Sequence, residues 1–293
     1  MHSSGATSIP EPVENYARET IRGPVALIGC RTTEVSHDCC EYDLAVISDE
    51  IRGNKVINVE GHSVELLYLG SDPRYHVVEL HDMAILGDTD KFLLASAMKE
   101  VTHEKYRKTL SAAGRKSLIG SLLCQRKMIE SEGHPAVAAM WAKLASYRFI
   151  AGVLELSGKR PMPLHELEQV RQTDSPASVA DGMQAALDCI GMERATRPAI
   201  SRSLEAVREL KSKEFDGKLV ISKIEYLLER QMLADCYYYM GRAAAESLAS
   251  KSSPFYTRYS KLIQISMDLT SDVQLLQNLQ RRLFRAANAS LKG

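Results

Sequence analysis

The chain has 293 residues, of which 45% are hydrophobic, and its 37 basic side chains balance its 37 acidic ones. This length and composition predict one large globular domain or two ordinary ones. The charge balance excludes a chain-wide attraction to nucleic acid or anionic membrane, so any such binding must come from a local patch.

The sequence favours a protein of a reducing compartment. No uninterrupted apolar run reaches the roughly 18 residues of a membrane span, and the first residues lack the basic-then-apolar order of a signal peptide. The six cysteines are scattered without a CxxC pair, a pattern that favours reduced thiols over disulfides or a zinc site. We therefore expect a cytoplasmic protein with no membrane partner.

Residues 1–10 are predicted to be a flexible lead followed by a helix, and short β-type runs separated by turn-forming residues follow up to about residue 88. These runs are Val25–Ile28, Leu44–Ile47, Lys55–Val59, Ser63–Leu69 and His76–Leu80. Because only a three-residue turn containing Gly61 separates Lys55–Val59 from Ser63–Leu69, these two runs are predicted to pair as a β-hairpin.

Two acidic residues stand at the entrance of the second run, in the sequence EYDLAVI. Glu41 and Asp43 are spaced i, i+2 and therefore point to the same face of a strand. Like charges held this close raise each other's pKa unless a cation compensates, and carboxylates are ligands that hard divalent cations prefer. The pair predicts a metal site, with solvated loop acids as the alternative.

A glycine turn follows the first run, in the sequence LIGCR. Backbone N–H groups at Gly29 and Cys30 would be available to a phosphate. A short helix over residues 31–35 would point its N-terminus, and Arg31, toward the same phosphate. Gly29, Cys30 and Arg31 are therefore the predicted phosphate-binding residues, with Cys30 acting as a small filler rather than as a nucleophile.

A third acid lies inside an apolar run, in the sequence SVELLYL. Glu65 alternates with Val64 and Leu66, a position where a carboxylate is costly unless it is exposed or paired. We predict that Glu65 is a third metal ligand or a general base, with an edge-strand gatekeeper as the alternative. Glu79 is a weaker candidate for the same role.

After about Thr89 the hydrophobic periodicity is helical almost throughout. Asp88 or Thr89 is predicted to cap a first helix over residues 90–101. Further helices are predicted over residues 104–130, 135–157, 163–172, 176–191, 197–213, 217–249 and 255–290. The predicted class is α+β, with a small mixed-sheet α/β domain over residues 11–100 and an all-α helical bundle over residues 101–293.

Two short motifs in the helical part are interpreted as structure rather than as chemistry. Gly114 to Ser117 lacks the leading glycine and the preceding strand of a P-loop. Arg160 to His165 has an Arg-x4-His spacing, but Pro161 and Pro163 exclude one continuous helix there. We predict instead that a helix ends at Gly158 and that a proline turn follows it.

A basic segment begins where the two predicted domains meet. From Lys99 to Lys127, eight basic residues stand against two acidic ones. The segment is either a solvated helix surface or a basic wall for a triphosphate or an RNA acceptor. Tyr106 is its only aromatic residue, which argues against stacking of single-stranded RNA.

The order of apolar strand, glycine turn and acid-x-acid strand resembles the nucleotidyltransferase fold of the DNA polymerase β superfamily. LIGCR, EYDLAVI and SVELLYL take the places of that family's Gly-Ser or Gly-Gly turn, acid-x-acid strand and later acid, over roughly the first third of the chain. Cys30 replaces Ser or Gly, whereas Glu41 and Glu65 replace Asp and keep the carboxylate on a longer side chain. The stretch YRFIAGVLELSGKRPMP is loosely similar to the helical second domain of antibiotic nucleotidyltransferases.

The resemblance implies a metal-dependent transfer of a nucleoside monophosphate from a nucleoside triphosphate to a hydroxyl group. It assigns Mg²⁺ or Mn²⁺ to the three acids and the triphosphate to residues 29–31. The acceptor is left open among a small molecule, a protein side chain and an RNA end, and so is assembly into a homo-oligomer. The alternatives are a catalytically degenerate module that binds a nucleotide or a partner, and an RNA-binding regulator.

Overall fold

A computed structural model of the chain describes residues 9–51, 53–70, 72, 75–88, 93–174, 177–270 and 272–292. The chain divides into two units, Met1–Leu110 and Ser111–Gly293. Within the described residues the first unit combines helices with a mixed sheet and the second is helical, so the predicted α+β class is confirmed. Most of the predicted flexible lead lies outside the described residues.

The first unit is built around an open mixed sheet of five strands. The strands are β1 Val25–Ile28, β2 Tyr42–Ile47, β3 Gly53–Val59, β4 His62–Leu69 and β5 Ala84–Gly87. Their order is β3-β4-β2-β1-β5, with β2 parallel to β4 and the other neighbours antiparallel. The antiparallel pairing of β1 and β2 places Ile28, at the end of β1, opposite Asp43 near the start of β2.

Both faces of the sheet are covered by helices, because the central strands are apolar on both sides. The helices of this unit are α1 Glu11–Asn15 with a π-helical turn Tyr16–Thr20, α2 Val77–Leu80 and α3 Leu93–Glu100. Val13 and Ala17 pack on one face, and Leu80 and Leu94 pack on the other. The sheet is therefore the middle layer of the unit, and its strand ends are the places where polar side chains can emerge.

The predicted β-hairpin is confirmed by the antiparallel pairing of β3 with β4. Its connection is one residue shorter than the predicted three and consists of Glu60 and Gly61, whose φ angles are +48° and +91°. Positive φ at both central residues is the geometry of a type I′ turn, which matches the twist of the flanking strands. The turn sets Val59 opposite His62, and this register in turn sets Val56 opposite Glu65.

Two features between residues 76 and 88 differ from the sequence-based prediction. The run His76–Leu80, predicted as a β-run, contains the helix α2, in which the Leu80 N–H donates to the His76 carbonyl at 3.0 Å. A short apolar run does not by itself distinguish a strand from a buried helical turn. The strand β5, which the prediction missed, pairs with β1 on the side away from β2.

The predicted cap of α3 is confirmed for Asp88. Its carboxylate oxygens accept hydrogen bonds from the backbone N–H groups of Leu94 at 3.2 Å and Ala95 at 3.0 Å. An acidic side chain here satisfies donors that the first turn leaves unpaired. The other candidate cap, Thr89, lies outside the described residues.

The second unit consists of helices, and α4 (His103–Glu130) spans the division between the units. The further helices are α5 Pro135–Leu156, α6 Glu166–Arg171, α7 Ala177–Ile190, α8 Arg197–Lys211, α9 Gly217–Glu229, α10 Leu233–Ala249, α11 Ser253–Arg258, α12 Ser260–Ser266 and α13 Val273–Lys292. The single helices predicted over 217–249 and 255–290 are wrong. Gln231 and Asp268, with φ angles of +59° and +45°, stand at breaks in these two segments.

A buried lysine contacts the break at Asp268. Lys143 of α5 is 2% exposed, and its ammonium donates to the carbonyl oxygens of Met267 at 2.6 Å and Asp268 at 3.3 Å. A helix end leaves such carbonyls without a helical partner, and here a cation 124 residues away in sequence satisfies them. Burial lowers the pKa of the Lys143 ammonium to about 7, and the nearby Arg194 charge acts in the same direction.

The end of α5 is confirmed at the predicted glycine. Gly158 has a φ of +80°, and the Lys159 N–H donates to the Leu154 carbonyl at 2.9 Å. This six-to-one bond is that of a Schellman motif, in which a left-handed residue ends a helix. Residues 160–165 then form a non-helical connection before α6, so the Arg-x4-His spacing does not lie on one helix.

The Gly114 motif lies inside α4, in agreement with its rejection as a P-loop. A Cβ atom added at Gly114 would stand 2.9 Å from the carbonyl oxygen of Gly152 in α5. A Cβ atom at Gly152 would likewise stand 3.0 Å from the Gly114 carbonyl oxygen. The two glycines therefore allow α4 and α5 to pack closely, and neither is placed in a phosphate loop.

The helix α5 is the core helix of the second unit. It is long and apolar enough for a membrane span by length and composition, yet 83% of its most apolar window is buried within the folded chain. Core helices of folded proteins meet the same criterion. The composition of α5 therefore does not by itself indicate a membrane span.

An ion pair is buried between α6 and α10. Glu166 is fully buried, pairs with Arg242, and accepts a hydrogen bond from the Tyr238 hydroxyl at 2.8 Å. Arg242 also pairs with Glu246 at 3.1 Å. Burial raises the pKa of Glu166, whereas the Arg242 guanidinium opposes the rise.

Candidate metal and phosphate site

The predicted metal-binding acids lie on two neighbouring parallel strands. Glu41 immediately precedes β2, Asp43 is its second residue, and Glu65 lies opposite Asp43 in the β2–β4 register. Because side chains alternate along an extended chain, Glu41 just before β2 and Asp43 within it share one face of the sheet. Asp43 and Glu65 are paired in register and so project on that same face.

The structure brings the three carboxylates together. One oxygen from each of Glu41, Asp43 and Glu65 lies within 4.8 Å of the others, and all three side chains are half-buried. Ligands on opposite sides of a Mg²⁺ ion at about 2.1 Å stand about 4.2 Å apart, so the cluster is close to the span of one coordination sphere. Three carboxylate oxygens are a donor set that fits a hard divalent cation, and the assignment of a metal to them stays a prediction.

The predicted glycine turn touches this cluster. Gly29 has a φ of +80°, and a Cβ atom at this position would stand 2.0 Å from the Asp43 Oδ2 atom and 3.0 Å from its Cγ atom. Both the backbone conformation and the space therefore require glycine here. The chain turns at Gly29 into a 3-10 turn over Gly29–Thr32, which is earlier than the predicted helix over residues 31–35.

Cys30 lies beside a second thiol rather than in a nucleophile's environment. The Sγ atoms of Cys30 and Cys40 are within 4.8 Å of each other, and both side chains are reduced thiols. A hydrogen bond with Cys40 and burial raise the pKa of the Cys30 thiol well above its ordinary value, and the charges of Asp43 and Glu41 add to the rise. A thiol held protonated is a poor nucleophile, in keeping with the prediction that Cys30 is a filler.

Arg31, predicted to face a phosphate, braces the loop that leads to the acids. Its side chain is buried, and it donates to the Asp38 carbonyl at 3.0 Å from Nη2 and to the Cys40 carbonyl at 3.2 Å from Nε. The guanidinium also stands 4.5 Å from the centre of the Tyr42 ring. The observed contacts of Arg31 therefore position Glu41 and β2, and a phosphate contact stays a prediction.

One polar contact in the cluster was not predicted from the sequence. The Asn54 side-chain amide donates to the Glu65 Oε1 atom at 3.2 Å across the β3–β4 hairpin. Val56 lies directly opposite Glu65, so Asn54 is its diagonal neighbour on the same face. The signal for the Asn54–Glu65 contact is the register of the hairpin, which makes the two residues diagonal neighbours.

Comparison with protein-family models gives no match, and comparison with curated proteins gives none either. The likeness to the nucleotidyltransferase fold rests on the quoted residues and stays a prediction. The geometry of the three acids and of the Gly29 turn is therefore the observation that bears on function.

Proposed function

We propose that the protein is a metal-dependent nucleotidyltransferase, which moves a nucleoside monophosphate from a nucleoside triphosphate to a hydroxyl acceptor. The observation that carries the proposal is the convergence of three carboxylates from β2 and β4 beside the Gly29 turn. Such a donor set suits Mg²⁺ or Mn²⁺, and the backbone at the turn suits a phosphate group. The resemblance in sequence order supports the same reaction.

The proposed roles follow from the positions of the side chains. Glu41 and Asp43 hold the cation, and Glu65 is a further ligand or the base that takes the proton of the acceptor hydroxyl. The hydroxyl oxygen attacks the α-phosphorus, and the bond to the leaving pyrophosphate breaks. When bound, a divalent cation neutralises phosphate charge and lowers the pKa of the attacking hydroxyl.

The phosphate-binding part of the site is proposed to be mostly backbone. The N–H groups at Gly29 and Cys30 are the proposed donors to the triphosphate. Arg31 is proposed to act mainly through the loop that it braces, because its Nε and Nη2 groups already donate to carbonyls. A cytoplasmic location, where nucleoside triphosphates and Mg²⁺ are both present, is part of the same proposal.

A thermal-shift panel tests the proposal. The wild type, Asp43→Asn and the control Asp82→Asn are heated with ATP, CTP, GTP or UTP, each with and without Mg²⁺. Asp82 is a half-exposed acid of the same unit that lies outside the cluster. A ligand at about 100 times its Kd stabilises the native state by about 2.7 kcal/mol, or roughly 5–10 °C for a protein of this size.

The proposed function predicts a Mg²⁺-dependent shift with at least one nucleotide in the wild type and in Asp82→Asn, and its loss in Asp43→Asn. Incorporation of a radiolabelled monophosphate into an acceptor then identifies the acceptor class. Absence of any nucleotide shift would instead favour the catalytically degenerate module. An unchanged shift in Asp43→Asn would show that the three acids are not the metal site.

A further inference from the structure

One surface of α4 combines exposed apolar and basic side chains. Ile119 and Leu123 are 50% and 56% exposed, although they lie one turn apart on a long helix. Basic residues flank them at helical spacing on the same side. We name this surface the basic-apolar face and define it as Arg115, Lys116, Ile119, Leu123, Arg126 and Lys127 of α4 together with Arg148 of α5.

A cavity opens on the basic-apolar face. It has a volume of about 360 Å³ and lies among α4, α5 and the last residue of α10. Its lining includes Leu123, Lys127, Trp141, Arg148 and Ala249. The volume is in the range of sites that receive one or two apolar side chains or a small ligand.

The charge around the cavity is predominantly positive. Arg126 pairs with Glu130 at 2.8 Å, and Glu130 is the acid in the cavity lining. Over the part of the chain that the structure describes, no ion pair joins Lys127 or Arg148 to a carboxylate. The Lys127 ammonium instead lies 4.2 Å from the centre of the Trp141 ring.

We propose that the basic-apolar face docks an acidic amphipathic helix of a partner protein. The apolar side chains of such a helix would pack on Ile119 and Leu123 and enter the cavity, and its carboxylates would meet Lys127 and Arg148. An apolar centre with a charged rim is the composition of a protein interface, and apolar anchors at i, i+3/i+4 spacing are how a groove receives a helix. Opposite charge steers the two surfaces together.

The same face is less suited to single-stranded RNA. Stacking of bases requires an open aromatic ring, whereas Trp141 is 6% exposed and is covered by the Lys127 ammonium. Exposed Ile119 and Leu123 side chains add nothing to the binding of a phosphate backbone. RNA binding is therefore a competing outcome of the experiment, and binding of the same basic and apolar side chains to anionic lipid is another.

Trp141 provides a direct readout, because it is the single tryptophan of the chain and lines the cavity. Its fluorescence is followed while the full chain is titrated with synthetic peptides of about 20 residues, a length that permits helix formation. One peptide is an acidic amphipathic helix, the second has the same composition in scrambled order, and the third is a basic amphipathic helix. Single-stranded RNA and vesicles rich in anionic lipid are titrated in parallel.

Four variants locate the binding surface. Leu123→Glu and Arg148→Glu alter the face, whereas Phe215→Glu and Lys218→Glu make matched changes at exposed positions outside it. The proposal predicts saturable binding of the acidic amphipathic peptide, weakened at least about tenfold by each of the first two changes and unaffected by the other two.

Three outcomes would overturn the proposal. Equal binding of the scrambled peptide would show that charge alone acts, without an apolar docking site. Binding of RNA or vesicles in preference to the acidic peptide would assign the face to that other partner. No binding of the acidic peptide tighter than about 1 mM, with circular dichroism showing every variant folded, would remove the face as a helix-docking site.

Discussion

Replacement of Gly29 by alanine tests whether the turn at Gly29 is fitted to the carboxylate of Asp43. The change adds a single methyl group at a residue whose φ is +80°, and that methyl group would stand 2.0 Å from the Asp43 Oδ2 atom. Gly61→Ala is the matched control, because Gly61 has a φ of +91° and its added methyl group would meet no heavy atom within 4 Å. The two variants share the backbone strain and differ in the collision.

The expected magnitudes follow from these two terms. A side chain in the left-handed region costs about 1–2 kcal/mol, and this term applies to both variants. Forcing a methyl group into occupied space costs about 1–3 kcal/mol more, and this term applies to Gly29→Ala alone. We therefore expect Gly29→Ala to lose about 2–5 kcal/mol of unfolding free energy and Gly61→Ala about 1–2 kcal/mol.

The collision can also be relieved by displacement of the Asp43 carboxylate, in which case the loss appears in binding instead. Urea unfolding measures the stability of both variants, and calorimetric titration with Mg²⁺ and nucleotide measures binding. Compared with Gly61→Ala, we expect Gly29→Ala to have a lower free energy of unfolding, a weaker affinity for Mg²⁺ and nucleotide, or both. Equal stability and equal Mg²⁺ binding in the two variants would refute the inference that Gly29 is fitted to Asp43.

Three further predictions concern individual charges. Glu65→Gln should raise the melting temperature in EDTA, because it removes like-charge repulsion of about 1 kcal/mol per pair at 4 Å in water. The same change should reduce the rise in melting temperature on adding Mg²⁺. Scanning calorimetry checks both signs, and an unchanged response to Mg²⁺ would contradict the ligand role of Glu65. Burial lowers the pKa of Lys143 to about 7, whereas the ordinary value is about 10.4. At pH values between these two, the unfolded chain binds a proton that the folded chain lacks. Wild-type stability should therefore rise by about 2 kcal/mol from pH 7 to pH 9 through this group, and Lys143→Met should lose that rise in urea unfolding at the two pH values. Arg242→Leu should cost about 3–5 kcal/mol because it leaves Glu166 buried without its partner, and the double variant with Glu166→Leu should recover part of this loss in the same assay.

The regular parts of the fold were predictable from local patterns. The apolar runs of β1 and β2 and the turn at Gly61 mark two buried strands and a hairpin by composition and period alone. Gly158 marks the end of α5 for a similarly local reason, since a left-handed residue ends a helix. These features depend on neighbours in sequence, and a single sequence contains them.

The features that could not be predicted depend on distant contacts. The carbonyls at the break near Asp268 accept from the ammonium of Lys143, which no local pattern near residue 268 reveals. Arg31 is a surface-type residue by composition, yet its buried contacts with loop carbonyls follow only from the path of residues 32–41. The position of Glu65 opposite Asp43 likewise requires the parallel register of β2 and β4, which the sequence does not state.

The arrangement of the acids is itself an argument for a cation. Period-two alternation places Glu41 and Asp43 on one face, and the β2–β4 register adds Glu65 to it. Three carboxylates at this distance repel one another, and a bound cation would offset that repulsion. Two neighbouring strands that hold three carboxylates together, next to a glycine that leaves room for one of them, have the form of a site in which stability is given up for binding. The Glu65→Gln experiment tests this trade-off directly, since the stability in EDTA should rise while the gain on adding Mg²⁺ falls.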